Sequence, residues 1–213
     1  MYKYSIITLL LFTSIFISCK KKIDPRPEEI CTNYIPLNVG QQFMYSQKFI
    51  SSGDDSTVWG TDTITTYLEK DSLISKKIYS KFIQSHKFHK DISLIRKSDK
   101  NYLKRSENFF STDTFEYVFM KENVETGDTW TNYGINNQIF NTYKVLDVKA
   151  NYILNGISYS KVAIVSKDIP LDSFRKRKSI HYYASGVGEI YSYLPYPEGR
   201  FFADVEYTLL RKF

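Results

Sequence analysis

A strict alternation of apolar and polar residues near the C-terminus constrains the fold more than any other feature. From Ala203 to Leu209 every second residue is apolar, whereas Asp204, Glu206 and Thr208 between them are polar. A period of two puts all the apolar side chains on one face of an extended strand. This segment therefore predicts a strand with one buried face and one solvated face.

The same alternation recurs in residues 114–119, where Phe115, Tyr117 and Phe119 alternate with the polar Thr114 and Glu116. The chain holds 18 Tyr and 15 Phe in 213 residues, and aromatic side chains suit a pleated, half-buried surface. These patterns predict an all-β, antiparallel domain. One short helix remains open, because Ile74, Ile78 and Phe82 have helical spacing behind a possible Asp71 cap.

Turn residues separate the strand-like segments. Asn155 and Gly156 predict a two-residue hairpin of type I′, in which both central residues need positive φ. Residues 197–199, a Pro-Glu-Gly sequence, predict a second reversal, and residues 52–55 and 98–101 have loop composition.

Two stretches of the chain resemble each other. Gly40 precedes Phe43 by three residues, and Gly127 precedes Trp130 by the same spacing. Each pair is followed by a Thr-rich segment and then by Tyr-Ser-Lys, at 79–81 and at 159–161. We therefore predict a single large, strongly curved antiparallel sheet, a half-barrel built from two similar meanders. The repeat favours strand over helix near Ile78.

The N-terminus has the features of an export signal. Residues 1–18 contain Lys3 and a mostly apolar run, Ile6 to Ile17, which is too short to span a bilayer. The run ends in Ser18 and Cys19, which resembles the lipobox of bacterial lipoproteins, although Phe16 stands where Leu is usual. The resemblance implies cleavage before Cys19 and a lipid anchor on that cysteine, which would hold the protein on a membrane.

Residues 19–33 have the composition of a lipidated tether, with two prolines among charged residues, and residues 34–213 then form a single β domain. Lys20 follows the cysteine, where Asp would resemble an inner-membrane retention signal. We therefore expect an outer-membrane lipoprotein that faces the periplasm. Once Cys19 carries lipid, Cys31 lacks a disulfide partner, and we expect it to be structural or incidental.

The net charge of +6 invites a nucleic-acid hypothesis, which export from the cytoplasm disfavours. Of the basic runs, residues 20–22 would attract anionic headgroups, and residues 175–178 have the composition of a solvated turn or edge strand. No nucleic-acid partner is predicted.

The candidate chemical groups are sparse. His86 and His89, with Asp91 nearby, have the spacing of a helical metal pair, but on a strand they would face opposite ways, so we expect solvated loop histidines. Ser185 lacks the preceding glycine of a nucleophile elbow, and the glycines after it predict a bend or bulge. Two carboxylate pairs, 54/55 and 204/206, lack a visible cleft. We predict no catalytic residues, metal site or cofactor.

Four longer segments resemble a known group of proteins. They are NYIPLNVGQQFMY, VETGDTWTN, NGISYSKV and HYYASGVGEIYS. Together they are similar to small Gram-negative lipoproteins of unknown function, which start with Tyr-Pro-Leu and Val-Gly-x-x-Trp-x-Tyr and end with a Tyr-x-x-Gly-Val-Gly strand. Here Phe43 replaces the Trp, and Ile35 is inserted before Pro36. The resemblance implies a curved sheet similar to that of the lipoprotein-carrier proteins.

Two functions fit these features, and a third, a hydrolase, has no positive evidence in the sequence. The first is a non-enzymatic scaffold or accessory binding protein in the cell envelope, docked on an outer-membrane protein, with the concave face of the sheet filled by its own aromatic side chains. The alternative is a carrier or sensor of an apolar ligand or lipid, which needs an open pocket of several hundred cubic ångströms.

Overall fold

The computed structural model describes residues 33–51, 57–87, 90–107, 114–134, 136–170, 176–195 and 204–213. All of them belong to one compact unit. The described residues form strands and connecting turns, with no helix, so the fold is all-β as the alternation predicts. Cys19, Cys31, the signal segment, the tether up to Thr32 and the reversal at 197–199 lie outside them.

Twelve strands are described. In chain order they are β1 (Gln42–Ile50), β2 (Val58–Ile74), β3 (Lys77–Ser85), β4 (Lys90–Ser98), β5 (Asn101–Glu107), β6 (Thr114–Lys121), β7 (Thr129–Tyr133), β8 (Ile139–Leu154), β9 (Ile157–Pro170), β10 (Lys176–Ala184), β11 (Gly188–Leu194) and β12 (Asp204–Lys212).

The strands form one antiparallel sheet in the order β6-β5-β4-β3-β2-β1-β12-β11-β10-β9-β8-β7. Strands β1–β6 make one meander and β7–β12 a second, joined where β1 pairs with β12. The prediction of a single sheet built from two similar meanders is confirmed. The sheet curls further than a half-barrel and nearly closes on itself.

This topology fixes which turns lie together. Because neighbouring strands run in opposite directions throughout, one rim of the sheet carries the start of β1, the end of β12 and every turn that follows an even-numbered strand. We call it the N-terminal rim, and the other the opposite rim. The hairpins β2–β3 and β8–β9 both turn at the N-terminal rim.

Both hairpins have a two-residue turn in which both central residues have positive φ. Asn155 and Gly156 have φ of 51° and 79°, which confirms the type I′ prediction. Ser75 and Lys76 also have positive φ, 51° and 64°, and Ile74 pairs with Lys77 across the turn. The helical alternative for residues 74–82 is therefore wrong, because these residues form the two sides of a hairpin.

The predicted bend at Ser185–Gly188 is a three-residue turn followed by a bulge opposite Tyr182 and Tyr183. Gly188 has φ of 110°, and a Cβ atom there would lie 3.5 Å from Pro36 Cδ. Glycine thus allows both the backbone conformation and the close approach of the N-terminal segment.

That segment crosses the N-terminal rim and packs into the interior. Tyr34 is 1% exposed and Ile35 is 6% exposed, and both belong to a core cluster with Tyr102, Met120 and Trp130. The amide of Gly186 donates a hydrogen bond to the Asn33 carbonyl, and the Tyr102 hydroxyl donates to Asn33 Oδ1. Residues 33–37 therefore close one end of the curled sheet.

The two terminal strands, β6 and β7, meet without a backbone ladder, and side chains join them instead. The side-chain amide of Asn132 on β7 accepts a hydrogen bond from the Val118 amide at 2.9 Å and donates one to the Val118 carbonyl at 2.8 Å. Trp130 Nε1 donates to the same carbonyl at 2.9 Å. One asparagine thus reproduces the donor and acceptor pair that a neighbouring strand would offer.

Aromatic rings strengthen this seam. Phe140 on β8 packs edge-on against Phe115 and Tyr117 of β6, with ring centroids 4.9 and 5.1 Å apart. Such contacts contribute about 0.5 to 1.5 kcal/mol each beyond the area they bury. The sheet is therefore closed across β6 and β7 by side-chain hydrogen bonds and ring contacts.

One prediction for β12 needs correction. Its alternation is real, but the polar face is not solvated throughout, because Thr208 is only 6% exposed and lies beside Tyr191 in the register. Asp204 accepts a hydrogen bond from the Tyr193 hydroxyl. Neighbouring aromatic side chains cover polar positions that the pattern alone assigns to water.

Replacing Asn132 with leucine, which has a similar volume, should destabilise the fold by about 2 kcal/mol, because the Val118 amide loses its acceptor. Urea unfolding measures this loss, and faster hydrogen exchange at the Val118 amide would locate it at the seam. Asn151→Leu, at an exposed position on β8, is the matched control. Equal stability of the two variants would contradict the assigned role of Asn132.

Candidate functional site

The curled sheet forms a partly open cavity of about 320 Å³. The N-terminal segment contributes Ile35 and Pro36 to its wall, and strands of both meanders supply the rest. Eight aromatic rings line it: Phe43, Tyr45, Phe82, Tyr117, Phe119, Tyr143, Tyr183 and Tyr207. The interior is therefore neither empty nor completely filled by its own aromatics.

Four phenol groups in this wall stay neutral over a wide pH range. Burial raises the pKa of Tyr117 to about 12 and raises the pKa values of Tyr143 and Tyr183 as well. The Tyr45 hydroxyl donates a hydrogen bond to the Glu189 carbonyl at 3.0 Å, and its pKa is also raised by burial. These rings offer apolar faces and neutral hydroxyls to an occupant.

Two lysines carry positive charge into the cavity. Lys104 of β5 and Lys167 of β9 both line it, at inward positions of alternating strands. Within the described residues neither ammonium is paired directly with a carboxylate. Glu189 and Asp91 act on Lys104 only through longer-range attraction.

The ammonium of Lys167 lies between two rings on opposite sides of the seam, 5.9 Å from the centroid of Tyr117 and 5.8 Å from that of Tyr143. Burial, followed by repulsion from Lys104 and Arg177, lowers the pKa of Lys167 to about 8. Burial also lowers the pKa of Lys104. Both shifts arise first from desolvation, which the attraction of Glu189 only partly offsets.

A chain of polar groups forms another part of the wall. Glu189 Oε1 lies 2.6 Å from His181 Nδ1, and Ser179 Oγ lies 2.8 Å from His181 Nε2. His181 and Glu189 line the cavity. Ser179 is 2% exposed and pairs in register with Lys167 on the neighbouring strand. The sole carboxylate among the described lining residues is therefore engaged by a histidine, which leaves the lysines to any occupant.

The sequence-predicted chemical residues lie elsewhere. His89, Asp54 and Asp55 fall outside the described residues. His86 Nε2 lies 3.1 Å from Asp91 Oδ2 and its side chain is 10% exposed, so the expectation of a solvated loop histidine is wrong for this residue. The described part of the chain contains no group of three or more His, Cys, Asp or Glu placed to hold a metal ion.

The second carboxylate pair is also engaged separately. Glu206 Oε1 lies 3.9 Å from Lys48 Nζ, whereas Asp204 accepts from Tyr193. Ser185 lies in the turn before the β11 bulge. None of these three residues, Asp204, Glu206 and Ser185, lines the cavity.

The cavity groups that the sequence analysis missed have one common signal. Lys104 and Lys167 each follow apolar residues of β5 and β9, two residues after the buried Tyr102 and Val165, and both line the cavity. A lysine at an inward position is unusual, because burying an unpaired ammonium is costly. Such a position therefore indicates a functional site.

No helix in the described part of the chain has the length and apolar character needed to cross a lipid bilayer. Comparison with protein-family models finds no match. A comparison with curated proteins also finds no match.

Two solved structures are similar to the chain. One, from Bacteroides fragilis, is described as an exported protein with a YmcC-like fold; it is 12% identical, with 86% of this chain and 100% of that chain covered and a TM-score of 0.49. The other, from Parabacteroides distasonis, is described as a lipoprotein; it is 7% identical, with 86% and 99% covered and a TM-score of 0.44. At these identities neither similarity assigns a family or an activity to this chain.

Proposed function

We propose that the protein is an outer-membrane lipoprotein, anchored through Cys19, that binds a small organic anion with an apolar body inside its sheet. The observation that carries the ligand is the pair of lysines, Lys104 and Lys167, facing an aromatic-walled cavity without a directly paired carboxylate. An anion between the ammonium groups would restore the missing charge, and the rings would cover its apolar part.

The size of the cavity supports ligand binding over a purely structural scaffold. A scaffold needs a filled interior, whereas a cavity of about 320 Å³ falls in the range of small-molecule sites, roughly 300 to 1,000 Å³. It holds the liquid volume of about ten water molecules. This volume suits a monocyclic or bicyclic carboxylate, sulfonate or phosphate.

A suitable probe pair is 2-naphthoate and its neutral amide, 2-naphthamide, compared by isothermal titration calorimetry. We expect the anion to bind more tightly, and we expect Lys167→Met to weaken naphthoate binding by roughly tenfold to a hundredfold, as the loss of one charged hydrogen bond implies. Lys144→Met, at an exposed position on β8, is the control and should leave the affinity unchanged. Equal affinity for the two probes, or no binding of either, would overturn the anion proposal.

The pH dependence follows from the direction of the lysine shift. Below a pKa of about 8 the Lys167 ammonium is charged and ready for an anion; above it, binding must first take up a proton. Affinity should therefore fall by up to about tenfold per pH unit above pH 8. The other charged groups near Lys167 are Lys104, Arg177 and Glu189, with His181 and the phenols of Tyr117 and Tyr143 also in the wall. Lys167→Arg isolates the effect, because a guanidinium stays charged and should bind with a flatter profile.

Hydrolysis is a second candidate function, favoured by one observation. Ser179, His181 and Glu189 have the hydrogen-bond order of a serine nucleophile, its base and an orienting carboxylate. Ser179, however, is 2% exposed and is not part of the cavity wall, so its hydroxyl has no space for a substrate carbonyl. The two hydrogen bonds, with Ser179 and Glu189, instead fix the orientation of the His181 ring.

A fluorophosphonate probe separates these two roles. We expect no covalent labelling of the protein, because Ser179 Oγ is enclosed, and we expect Ser179→Ala to leave naphthoate binding within about twofold while costing about 1 kcal/mol of stability. Labelling that disappears in Ser179→Ala would instead place the protein among serine hydrolases.

The anchor has its own test. In a Gram-negative host the wild-type chain should incorporate radiolabelled palmitate and stay with outer membranes through a high-salt wash, whereas Cys19→Ser should incorporate none and be released by the wash, because the acyl chains attach to that sulfur. Cys31→Ser is the matched control and should behave as the wild type. Membrane fractionation and labelling of the Cys19→Ser protein would refute the anchor.

A further inference from the structure

Two hairpins extend past their neighbours at the N-terminal rim. Strand β2 has 17 residues, yet β1 pairs with it only as far as Tyr67, so residues 69–74 continue without β1. Strand β8 has 16 residues, and β7 pairs with it only from Ile139 to Lys144. The tips of β2–β3 and β8–β9 therefore both lie beyond the paired part of the sheet on the side of the N-terminal rim. There Lys77 of the first hairpin contacts Glu116 of β6, and Tyr159 of the second packs in a core cluster with Phe43 and Leu68.

Each tip exposes large aliphatic side chains. Leu73 and Ile78 pair across the first hairpin and are 75% and 64% exposed. Ile153 and Ile157 on the second are 70% and 46% exposed. The first turn also carries the exposed Lys76. Exposed aliphatic side chains on two hairpins of one rim, with a cation beside one of them, are compatible with a surface that contacts a lipid headgroup layer.

The path of the chain favours a membrane as the partner of these two hairpin tips. Residue 33 lies at the N-terminal rim, where Asn33 bonds to Gly186 and Tyr102. Thirteen residues, Lys20 to Thr32, separate it from Cys19. Even fully extended they reach at most about 45 Å. A tether from Cys19 therefore joins the domain at this rim, which makes it the rim closest along the chain to the bilayer.

We propose that the tips of the β2–β3 and β8–β9 hairpins insert their aliphatic side chains into the membrane surface to which the protein is anchored, and so orient the sheet with its N-terminal rim against the lipid. The inference rests on the proposed Cys19 anchor but does not depend on the ligand. Lys76 and the lysines at 20–22 supply attraction to anionic headgroups, each about 1 kcal/mol near the surface.

The test uses the full lipidated protein in vesicles of phosphatidylethanolamine and phosphatidylglycerol, with Cys31→Ser to leave no free thiol. An environment-sensitive fluorophore is attached at Ser75→Cys or at Gly156→Cys in the two tips, and at Asn137→Cys as the control, since this exposed turn lies at the opposite rim. We expect blue-shifted emission and quenching by spin-labelled lipid at both tips, and neither effect at residue 137.

The aliphatic side chains are tested in the unlipidated Cys19→Ser background by vesicle flotation. Leu73→Ser with Ile78→Ser should weaken binding by roughly tenfold or more, the scale expected when two half-buried aliphatic groups are lost. Ile92→Ser with Ile139→Ser, two exposed positions of the opposite rim, should not change it.

The outcomes separate the two proposals. Lipidated protein that fails to float with vesicles refutes the anchor. Protein that floats but shows solvent-exposed fluorophores at both tips refutes membrane insertion while the anchor stands. A blue shift that requires high protein concentration and no lipid would assign the tips to contact between two copies of the chain, and would also overturn the proposal.

Discussion

The structure depends on how the two free edges of its sheet meet. A twelve-stranded open sheet leaves a row of unpaired backbone groups on β6 and on β7, which are costly when buried and prone to pairing with other chains when exposed. Asn132 resolves this at Val118 by offering one donor and one acceptor from a single side chain. This contact joins the outer strands of the two meanders, and so it holds the curled sheet and the volume inside it in place.

The seam between β6 and β7 therefore also forms part of the cavity wall. Tyr117 stands on β6 and Tyr143 on β8, on opposite sides of the seam, and the Lys167 ammonium lies about equally far from the two rings. If the edges separated, this lysine would face water, and its pKa would return toward the ordinary value. Closing the sheet thus converts an ordinary cation into a desolvated one that favours an anionic occupant.

Much of the fold is predictable from local patterns, because alternation and turn chemistry act over a few residues. Asn155 and Gly156 identify their hairpin from the need for positive φ, and the repeated glycine and aromatic spacing identifies two meanders. The closure is not predictable in this way. Nothing near Asn132 in the sequence indicates that its amide meets Val118, since that contact depends on the accumulated curvature of all twelve strands. The cavity is hidden for the same reason, although an inward lysine among apolar residues is a signal that sequence reasoning could use.

Keeping two like charges inside an aromatic cavity works against stability, since each ammonium loses hydration and repels the other. Hydrophobic residues of similar size at 104 and 167 would fill the space and remove the repulsion. The rest of the interior follows that rule: Val145, Val162 and Val165 are fully buried and apolar. The departure is confined to the part of the interior that stays open, where a small anion could recover the lost interaction. Packing alone does not explain why two lysines line the open part of the interior while the closed part is apolar. This difference is the strongest argument that the cavity has an occupant.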